Sequence, residues 1–392
     1  MFQIDFKSRR SIRDQIIDNF KQLVINGVLK AEDAVPSIAN ISVTLIVNPN
    51  TTEKAYLELE RQGYFYYNQI NGWTVSTVKI NAIKTQTKKS KSRKDDYIKI
   101  KDLTKYFDDN LALDELSLTI KKGSIYGLIG VNGSGKTTLI KHIAKMYQAD
   151  EGQITINNIN VARNTKDSVG FMSEDMYFIP QYNMDKLSVF FENKYRENWD
   201  YARYQALVRR FGLDESHKLD NFSSGMRKQA GFIFAISATP DILLLDETLD
   251  GLDPFVRQHV MREIVKDVAE RQMTVFVTSH NVNDIDGICD TIGIIDKGKM
   301  VLERDIDALR SNIHKINVAF EPDLFSSVDP YEGLNILYME ELENTDLLVV
   351  HGSEVAISAH LQSYNPLIYS HHVMSLEEIF IYEKSGDAHE IH

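Results

Sequence analysis

The sequence predicts a multidomain α/β protein of 392 residues, with a parallel-sheet domain between two smaller domains. Three observations carry this prediction. A glycine-rich loop over 130–138 stands between an apolar run and a helix-like segment, and a second apolar run, 242–245, ends in two carboxylates. Residues 11–75 read as helical stripes followed by a hairpin. Strand-like and helical runs alternate again after residue 310, which predicts a small α+β domain at the end.

Composition indicates a globular protein rather than a membrane or secreted one. Hydrophobic residues make up 43% and charged residues 26%. Cys289 is the single cysteine, which excludes an internal disulfide and fits a reducing compartment. The first residues lack a signal-peptide pattern, and no apolar run approaches the ~18 residues that span a bilayer. We therefore expect a cytoplasmic chain that reaches the inner face of a membrane only through a partner.

Charge is unevenly distributed along the chain. Residues 1–95 contain 15 Lys and Arg against 9 Asp and Glu, whereas the remainder contains 29 against 47. Much of the basic excess lies in Lys84 to Lys94, within a polar stretch over 81–96 that has no apolar periodicity. This stretch predicts a flexible linker, which could also contact phosphates. The charge suggests a polyanionic partner for the N-terminal region.

The N-terminal residues predict three helices and a hairpin. The helices are expected over 11–27, from Pro36, and over 48–62, where Pro49 suits a first helical turn. Two strands then flank the turn Asn71-Gly72. Three helices followed by a hairpin make a winged helix-turn-helix, which lays its third helix in the major groove of DNA.

The stretch from Val35-Pro36-Ser37 to Gly63 resembles, without gaps, the DNA-binding domain of GntR-type regulators, and is closest to their short, transporter-linked branch. The resemblance covers about residues 8–78. Arginines that the family uses on DNA are replaced by Ala39, Pro49, Asn68 and Gln69. The residues that remain as DNA contacts under this resemblance are Asn50, Thr51, Thr52 and Lys54. The alternative is a winged helix that only dimerises.

The glycine-rich loop predicts a phosphate-binding site. Glycines at 130, 133 and 135 let successive backbone N–H groups and a helix N-terminus converge on phosphate oxygens. Lys136 would reach the β- and γ-phosphates, and the Thr137 hydroxyl would bind Mg²⁺. The residues expected to bind ATP here are Gly130, Asn132, Gly133, Ser134, Gly135, Lys136, Thr137 and Thr138.

The two carboxylates at the end of the second apolar run predict hydrolysis. Two acids at the carboxyl end of a buried parallel strand lie where α/β sheets bind ligands. Asp246 would hold Mg²⁺ through water. Glu247 would act as the general base that polarises the attacking water, a role worth about 10²- to 10⁴-fold in rate.

From Tyr97 to about Arg310 the chain resembles an ATP-binding cassette (ABC) ATPase, which implies a RecA-like core, an antiparallel β-subdomain and a helical subdomain. Ser223-Ser224-Gly225-Met226 corresponds to the family signature, and Gly251-Leu252-Asp253 to the loop that follows the catalytic glutamate. In this family Ser223 and Gly225 complete the ATP site of the opposite subunit. The resemblance thus implies a head-to-tail homodimer or heterodimer with two ATP molecules.

The same resemblance assigns three further residues. His280, in Thr278-Ser279-His280, matches the histidine that senses the γ-phosphate, and with Glu247 and Lys136 completes the expected catalytic set. Phe107 matches the aromatic residue that stacks on adenine, with Tyr106 as the alternative. Glu174 stands where the family has a glutamine, and could contact Mg²⁺ or water.

These inferences define four segments: a winged helix-turn-helix domain (1–80), a basic linker (81–96), an ABC ATPase domain (97–310), and a C-terminal domain (311–392) that resembles the accessory domain of bacterial drug and lantibiotic export ATPases. The expected function is the ATP- and Mg²⁺-dependent subunit of an exporter, working with a separately encoded permease, that also regulates its own transporter operon on operator DNA. The alternative is a regulator that uses ATP as a dimerisation switch and binds no permease.

Overall fold

The computed structural model describes residues 2–6, 8, 10–76, 95–161, 168–285, 287–321, 324, 328–372, 374–379 and 381–382. The chain divides into two compact units. One unit is Ala31–Glu303, and the other joins Met1–Lys30 to Arg304–His392. This division separates the first predicted helix from the second and third. The predicted basic linker falls almost entirely on residues outside the described ranges.

The larger unit is built on a six-stranded sheet of β5 (Ile125–Ile129), β8 (Val169–Met172), β9 (Ile242–Asp246), β10 (Thr274–Ser279), β11 (Thr291–Asp296) and β12 (Lys299–Asp305). Within it, the successive neighbours β11, β5, β10, β9 and β8 run parallel. The order is β12-β11-β5-β10-β9-β8. The strands at its centre are buried along their whole length, which explains why they read as unbroken apolar runs.

A second, antiparallel sheet of order β4-β3-β6-β7 packs in the same unit, and its apolar side chains join the core of the parallel sheet. The strands are β3 (Asp96–Phe107), β4 (Asn110–Lys121), β6 (Glu151–Ile156) and β7 (Ile159–Asn160). The helices are α4 (Lys136–Ile143), α5 (Met184–Tyr195), α6 (Tyr201–Phe211), α7 (Ser224–Ser237) and α8 (Pro254–Arg271). The central α/β fold is therefore the one that the sequence predicts.

A buried ionic network joins α6 to α8. The Arg203 guanidinium donates to Asp267 at 2.7 Å and to Glu263 at 3.0 Å. Arg271 donates to the same Asp267 at 2.5 Å, and Arg210 also pairs with Glu263. The two carboxylates are only 3% and 8% exposed, so each depends on these arginines for the hydrogen bonds that water would otherwise supply.

The second and third predicted helices and the hairpin are α2 (Ile38–Leu45), α3 (Pro49–Arg61), β1 (Phe65–Asn68) and β2 (Gly72–Val75). Ser37 caps α2, and Asn48 caps α3 by accepting from the Asn50 N–H at 2.8 Å. Tyr56 packs edge-on against Phe65 and Trp73, which fixes α3 on the hairpin. Both helices also pack against α8 of the ATPase domain. The element order is as expected, and the assignment of a winged helix-turn-helix domain stays a prediction.

The second unit contains α1 (Ile12–Ile25), capped by Ser11, and an antiparallel sheet of order β14-β15-β13-β16. Gln15 binds the main chain of Asp5 and Arg10, and the Arg310 guanidinium donates to the Phe6 carbonyl at 3.4 Å. These contacts explain why the N-terminal segment groups with the end of the chain. The remaining elements are α9 (Ile306–Asn312), β13 (Ile313–Ala319), β14 (Asn335–Glu341), β15 (Asp346–His351), α10 (Glu354–Gln362) and β16 (Ile368–His372).

Strand β16 is missing from the sequence-based prediction, because Tyr-Ser-His-His offers no clear apolar alternation. Among the described residues, no helix is both long enough and apolar enough to cross a membrane.

Candidate functional site

The glycine-rich loop connects the end of β5 to the start of α4, as the sequence predicts. Gly135 caps α4 with φ +111°, and Gly133 has φ +81°, both in the left-handed region that favours glycine. A Cβ on Gly130 would lie 2.4 Å from Ser134 Oγ, and one on Gly135 would lie 2.8 Å from the Ala112 carbonyl. The Ser134 hydroxyl is buried and has no hydrogen-bond partner among the described residues. A tight loop with a buried, unused hydroxyl fits a phosphate group.

A cavity of about 500 Å³ opens over this loop. Phe107 lines it, whereas Tyr106 does not, and the assignment of Phe107 to the adenine base stays a prediction. Phe107 is held edge-on by Tyr147, with ring centroids 5.4 Å apart. The other lining residues are Asn110, Leu111, Ala112, Asn132, Gly133, Gly135, Lys136, Thr137, Thr138, Glu174, Glu247, Lys297 and Gly298.

Lys136 and Glu247 form an ion pair inside this cavity. The ammonium lies 2.9 Å from Glu247 Oε1 and also donates to the carbonyls of Gly130 and Val131, at 2.7 and 3.2 Å. Lys136 is 3% exposed, and Glu247 takes φ +49°, which turns its side chain out of the end of β9. Burial acts to raise the pKa of Glu247, but hydrogen bonds from Lys136 and His280 outweigh it and the pKa is lowered. Glu247 is therefore ionised near neutral pH, as a general base must be.

Asp246 and Thr137 provide oxygen atoms suited to Mg²⁺. Thr137 Oγ1 lies 3.3 Å from Asp246 Oδ1, and Thr278 Oγ1 donates to that same oxygen at 2.8 Å. Burial raises the pKa of Asp246, against the opposing hydrogen bonds from Thr278 and Thr137. A buried carboxylate beside a threonine hydroxyl has the hard oxygen donors that Mg²⁺ prefers. Glu174, exposed at the end of β8, lines the same cavity and could add a third oxygen.

His280 follows β10 and contacts the Glu247 carboxylate directly. Its Nδ1 lies 3.1 Å from Glu247 Oε2 and 3.0 Å from Asp250 Oδ2. Lys228, on α7, donates to the carbonyls of Asp250 at 2.8 Å and Glu247 at 3.3 Å. The loop after Glu247 is thus fixed from both the histidine side and the α7 side, which positions the Glu247 carboxylate.

The signature residues lie at the start of α7 and outside the cavity. Ser223 caps this helix by accepting from the Met226 N–H at 3.2 Å. Ser223 is exposed, and an added Cβ on Gly225 would meet no atom within 4 Å. Neither residue lines the cavity that holds Lys136. Their assignment to ATP binding remains a prediction, and it requires a second copy of the chain.

The expected DNA contacts need a correction. Thr52 is fully buried and its Oγ1 accepts from Ser42 Oγ at 2.9 Å, because this side of α3 faces α2. Thr51 is 6% exposed. The Asn50 amide donates to Asp290 Oδ1 at 2.6 Å, so it is bound to the ATPase domain. The sequence-based expectation that all four side chains reach DNA is therefore wrong for the buried Thr51 and Thr52, while Lys54 is exposed as expected.

Several residues of the site were not found by sequence reasoning. Lys297 and Gly298 line the cavity from the turn between β11 and β12, and Asn110 to Ala112 line it from the start of β4. Thr278 donates to Asp246 and accepts from the Glu247 N–H at 3.1 Å. Thr278 lies two residues before His280 in the sequence, so its position near the end of a predicted strand was the available signal.

Comparisons with known proteins agree with this geometry. The sequence profile of the ABC transporter family matches residues 113–250. The ABC transporter ATP-binding protein YtrB of Bacillus subtilis is 30% identical over 291 residues, which are 74% of this chain and 98% of YtrB. The bacitracin transport ATP-binding protein BcrA of Bacillus licheniformis is 31% identical over 230 residues, which are 56% of this chain and 72% of BcrA.

Among solved structures, the ATP-binding subunit of an ABC transporter superposes with a TM-score of 0.50 and 23% identity. The match covers 55% of this chain and 92% of that chain, and it supports the fold alone.

Proposed function

Since the chain belongs to the ATP-binding proteins of ABC transporters, which are Mg²⁺-dependent ATPases, we propose that it drives an exporter and regulates transcription of its own transporter operon through residues 1–80. The ATPase assignment rests on one observation, which is that Phe107, Lys136, Thr137 and Glu247 line the same cavity. An exporter is the favoured transporter type because one relative is a bacitracin transport protein and another a linearmycin resistance protein.

In the proposed reaction, the loop N–H groups and Lys136 bind the phosphates of ATP. Thr137 and Asp246 would hold Mg²⁺, which supplies charge neutralisation on the phosphate oxygens. Glu247 accepts a proton from a water molecule as its oxygen attacks the γ-phosphorus, and the bond from that phosphorus to the ADP oxygen breaks. The products are ADP and phosphate. When Lys136 binds the phosphates of ATP, its 2.9 Å ion pair with Glu247 is weakened. The Glu247 carboxylate is then free to bind the attacking water.

We infer that the active form is a head-to-tail homodimer with two ATP molecules between the copies. Ser223 and Gly225 support this inference because they lie outside the cavity of their own chain and are accessible. The serine hydroxyl and the N-terminus of the 14-residue helix α7 suit a γ-phosphate presented by the other copy.

We also propose that the helical subdomain, residues 174–220, docks a separately encoded permease. Tyr177 is 86% exposed and Phe190 is 45% exposed. Their neighbours Phe178 and Phe191 both pack on Phe234, so the two exposed rings belong to one region of the surface. Exposed aromatic side chains of this kind favour a protein partner.

The docking proposal is tested by purifying the tagged protein from solubilised membranes. Wild type should bring down a hydrophobic membrane protein, and the double variant Tyr177→Ser, Phe190→Ser should lose it. Val301→Ser is the matched control, because Val301 is 43% exposed and lies in β12. Retention of a partner by the double variant would place the docking surface elsewhere. Absence of any membrane partner from wild type would favour the regulator that binds no permease.

The transcriptional part of the proposal rests on the N-terminal sequence and on Lys54, which is exposed on α3. Its test is a mobility shift of the full-length protein on the DNA upstream of its own gene. A shift that unrelated DNA does not compete away supports operator binding. The absence of a shift with and without Mg²⁺-ATP would reduce residues 1–80 to a structural module.

A further inference from the structure

Two asparagines at the start of α3 bind the ATPase domain directly. Asn48, 1% exposed, donates from Nδ2 to the Ile288 carbonyl at 2.6 Å. Asn50 donates from Nδ2 to Asp290 Oδ1 at 2.6 Å. We call Asn48, Asn50, Ile288 and Asp290 the asparagine clasp. The clasp joins residues 240 positions apart in the sequence, so it fastens α3 to the ATPase domain.

Asp290 connects the clasp to the strand that carries the phosphate-binding loop. Its second oxygen, Oδ2, accepts from the Ile125 N–H at 2.7 Å, and its own N–H donates to the Ile125 carbonyl at 2.8 Å. Ile125 begins β5, and Gly130 follows the last residue of that strand. At about 3.3 Å per residue, the clasp lies roughly 16 Å from the loop along one rigid strand. The start of β5 is therefore bonded to the clasp that holds α3, and its end leads into the nucleotide site.

The start of the third helix is the part that a helix-turn-helix presents to base edges. Here that end is already bound to protein, and Asn50, which was expected to read DNA, is bonded to a carboxylate. The Asn50 Nδ2 group donates both to Asp290 Oδ1 at 2.6 Å and to the Gly123 carbonyl at 3.4 Å, so its two N–H groups are directed at the ATPase domain and not at a base. A carboxylate next to this helix end would also repel a DNA phosphate.

We propose that the asparagine clasp is an autoinhibitory contact: the ATPase domain and DNA compete for the start of α3, and the clasp must open before DNA binds. This inference rests on the proposed DNA-binding function. Because only the open fraction binds, the apparent Kd for DNA equals the intrinsic Kd divided by that fraction. Removing the clasp then tightens DNA binding without any new contact to DNA.

Asp290→Ala tests the clasp from the side that never touches DNA. A hydrogen bond to a charged group contributes enough to change an equilibrium by about 10- to 100-fold, so the variant should bind DNA about 10-fold tighter or more. Hydrogen exchange of the α3 amides should also become faster, since the docked helix opens more often. The control is Asp175→Ala, which removes an exposed carboxylate outside the clasp and should change neither quantity.

Asn50→Ala should share the faster exchange of Asp290→Ala but differ from it in DNA binding. It opens the clasp, so exchange in α3 becomes faster, but it also removes a DNA contact, so DNA binding becomes weaker than in Asp290→Ala. The probe in every case is a duplex from upstream of the gene, with unrelated duplex as competitor. Retained ATPase activity in both variants shows that the fold is intact.

The outcomes separate the inference from the function on which it rests. Faster exchange with tighter DNA binding in Asp290→Ala supports the clasp as an autoinhibitory contact. If hydrogen exchange of α3 is unchanged in Asp290→Ala, the clasp does not hold the helix and the inference is wrong. If exchange becomes faster but measurable DNA binding is unchanged, the ATPase domain and DNA do not compete for α3. Faster exchange with no DNA binding by any variant also overturns the inference, and identifies the DNA-binding function as the part that failed.

Discussion

Replacing Glu247 by glutamine is the most informative single change in the ATP site. The carboxylate lies 2.9 Å from Lys136 and 3.1 Å from His280, and its lowered pKa keeps it ionised. Glutamine has nearly the same shape but cannot accept a proton from water. Loss of a general base costs about 10²- to 10⁴-fold in kcat, or about 2.7–5.4 kcal/mol in the activation barrier.

ATP binding should survive this change. Lys136 keeps its two bonds to the carbonyls of Gly130 and Val131, and it no longer has to leave a carboxylate in order to bind phosphates. The nucleotide should remain intact between two copies, so Glu247→Gln should elute as a dimer with Mg²⁺-ATP and as a monomer without it.

The assay is steady-state phosphate release, combined with size-exclusion chromatography and retention of labelled ATP. Glu192→Gln is the matched control, because Glu192 is exposed on α5 and outside the cavity. It should hydrolyse ATP at the wild-type rate. A kcat within about threefold of wild type for Glu247→Gln would refute the assignment of the general base, since it lies far below the expected loss.

The remaining predictions concern stability, pH and DNA. Asp267→Ala leaves Arg203 and Arg271 without their shared buried carboxylate and should lower the free energy of unfolding by about 3–5 kcal/mol. Asp214→Ala, at an exposed pair with His217, should lower it far less, and urea unfolding of both variants makes the comparison. Burial lowers the pKa of His142 below its usual 6.5, so protonation favours the unfolded state and stability should fall as the pH drops below about 6.5. In His142→Gln, the free energy of unfolding should depend less on pH below about 6.5, as measured by unfolding curves over a pH series. An unchanged pH dependence would show that His142 is not the group responsible. Lys54→Ala should weaken DNA binding in mobility shifts and leave the ATPase rate unchanged.

The central fold could be predicted because its signals are local. Strand β5, the glycine-rich loop and α4 are contiguous in the sequence, and the buried strand β9 ends directly in Asp246 and Glu247. Parallel strands expose their carboxyl ends at one edge of the sheet, so these groups converge once the sheet forms. His280, which the family resemblance assigned, directly follows β10.

The rest depends on contacts between segments that are distant in the sequence. The pairing of Asn50 with Asp290 joins positions 240 apart, and no periodicity in either segment indicates it. Thr52 is polar and lies near the start of a helix, so sequence alone allowed exposure, but packing of α3 on α2 buries it. The grouping of α1 with the C-terminal sheet likewise follows from contacts such as that of Arg310 with Phe6.

The most direct test of the account mixes two inactive variants, Lys136→Ala and Ser223→Ala. In a head-to-tail dimer, a mixed pair has one site with both defects and one intact site that combines Lys136 of one copy with Ser223 of the other. Random pairing makes half of the dimers mixed, so ATPase activity should return to about a quarter of the wild-type rate if the sites act independently. A mixture as inactive as its two components would contradict an ATP site shared between two copies.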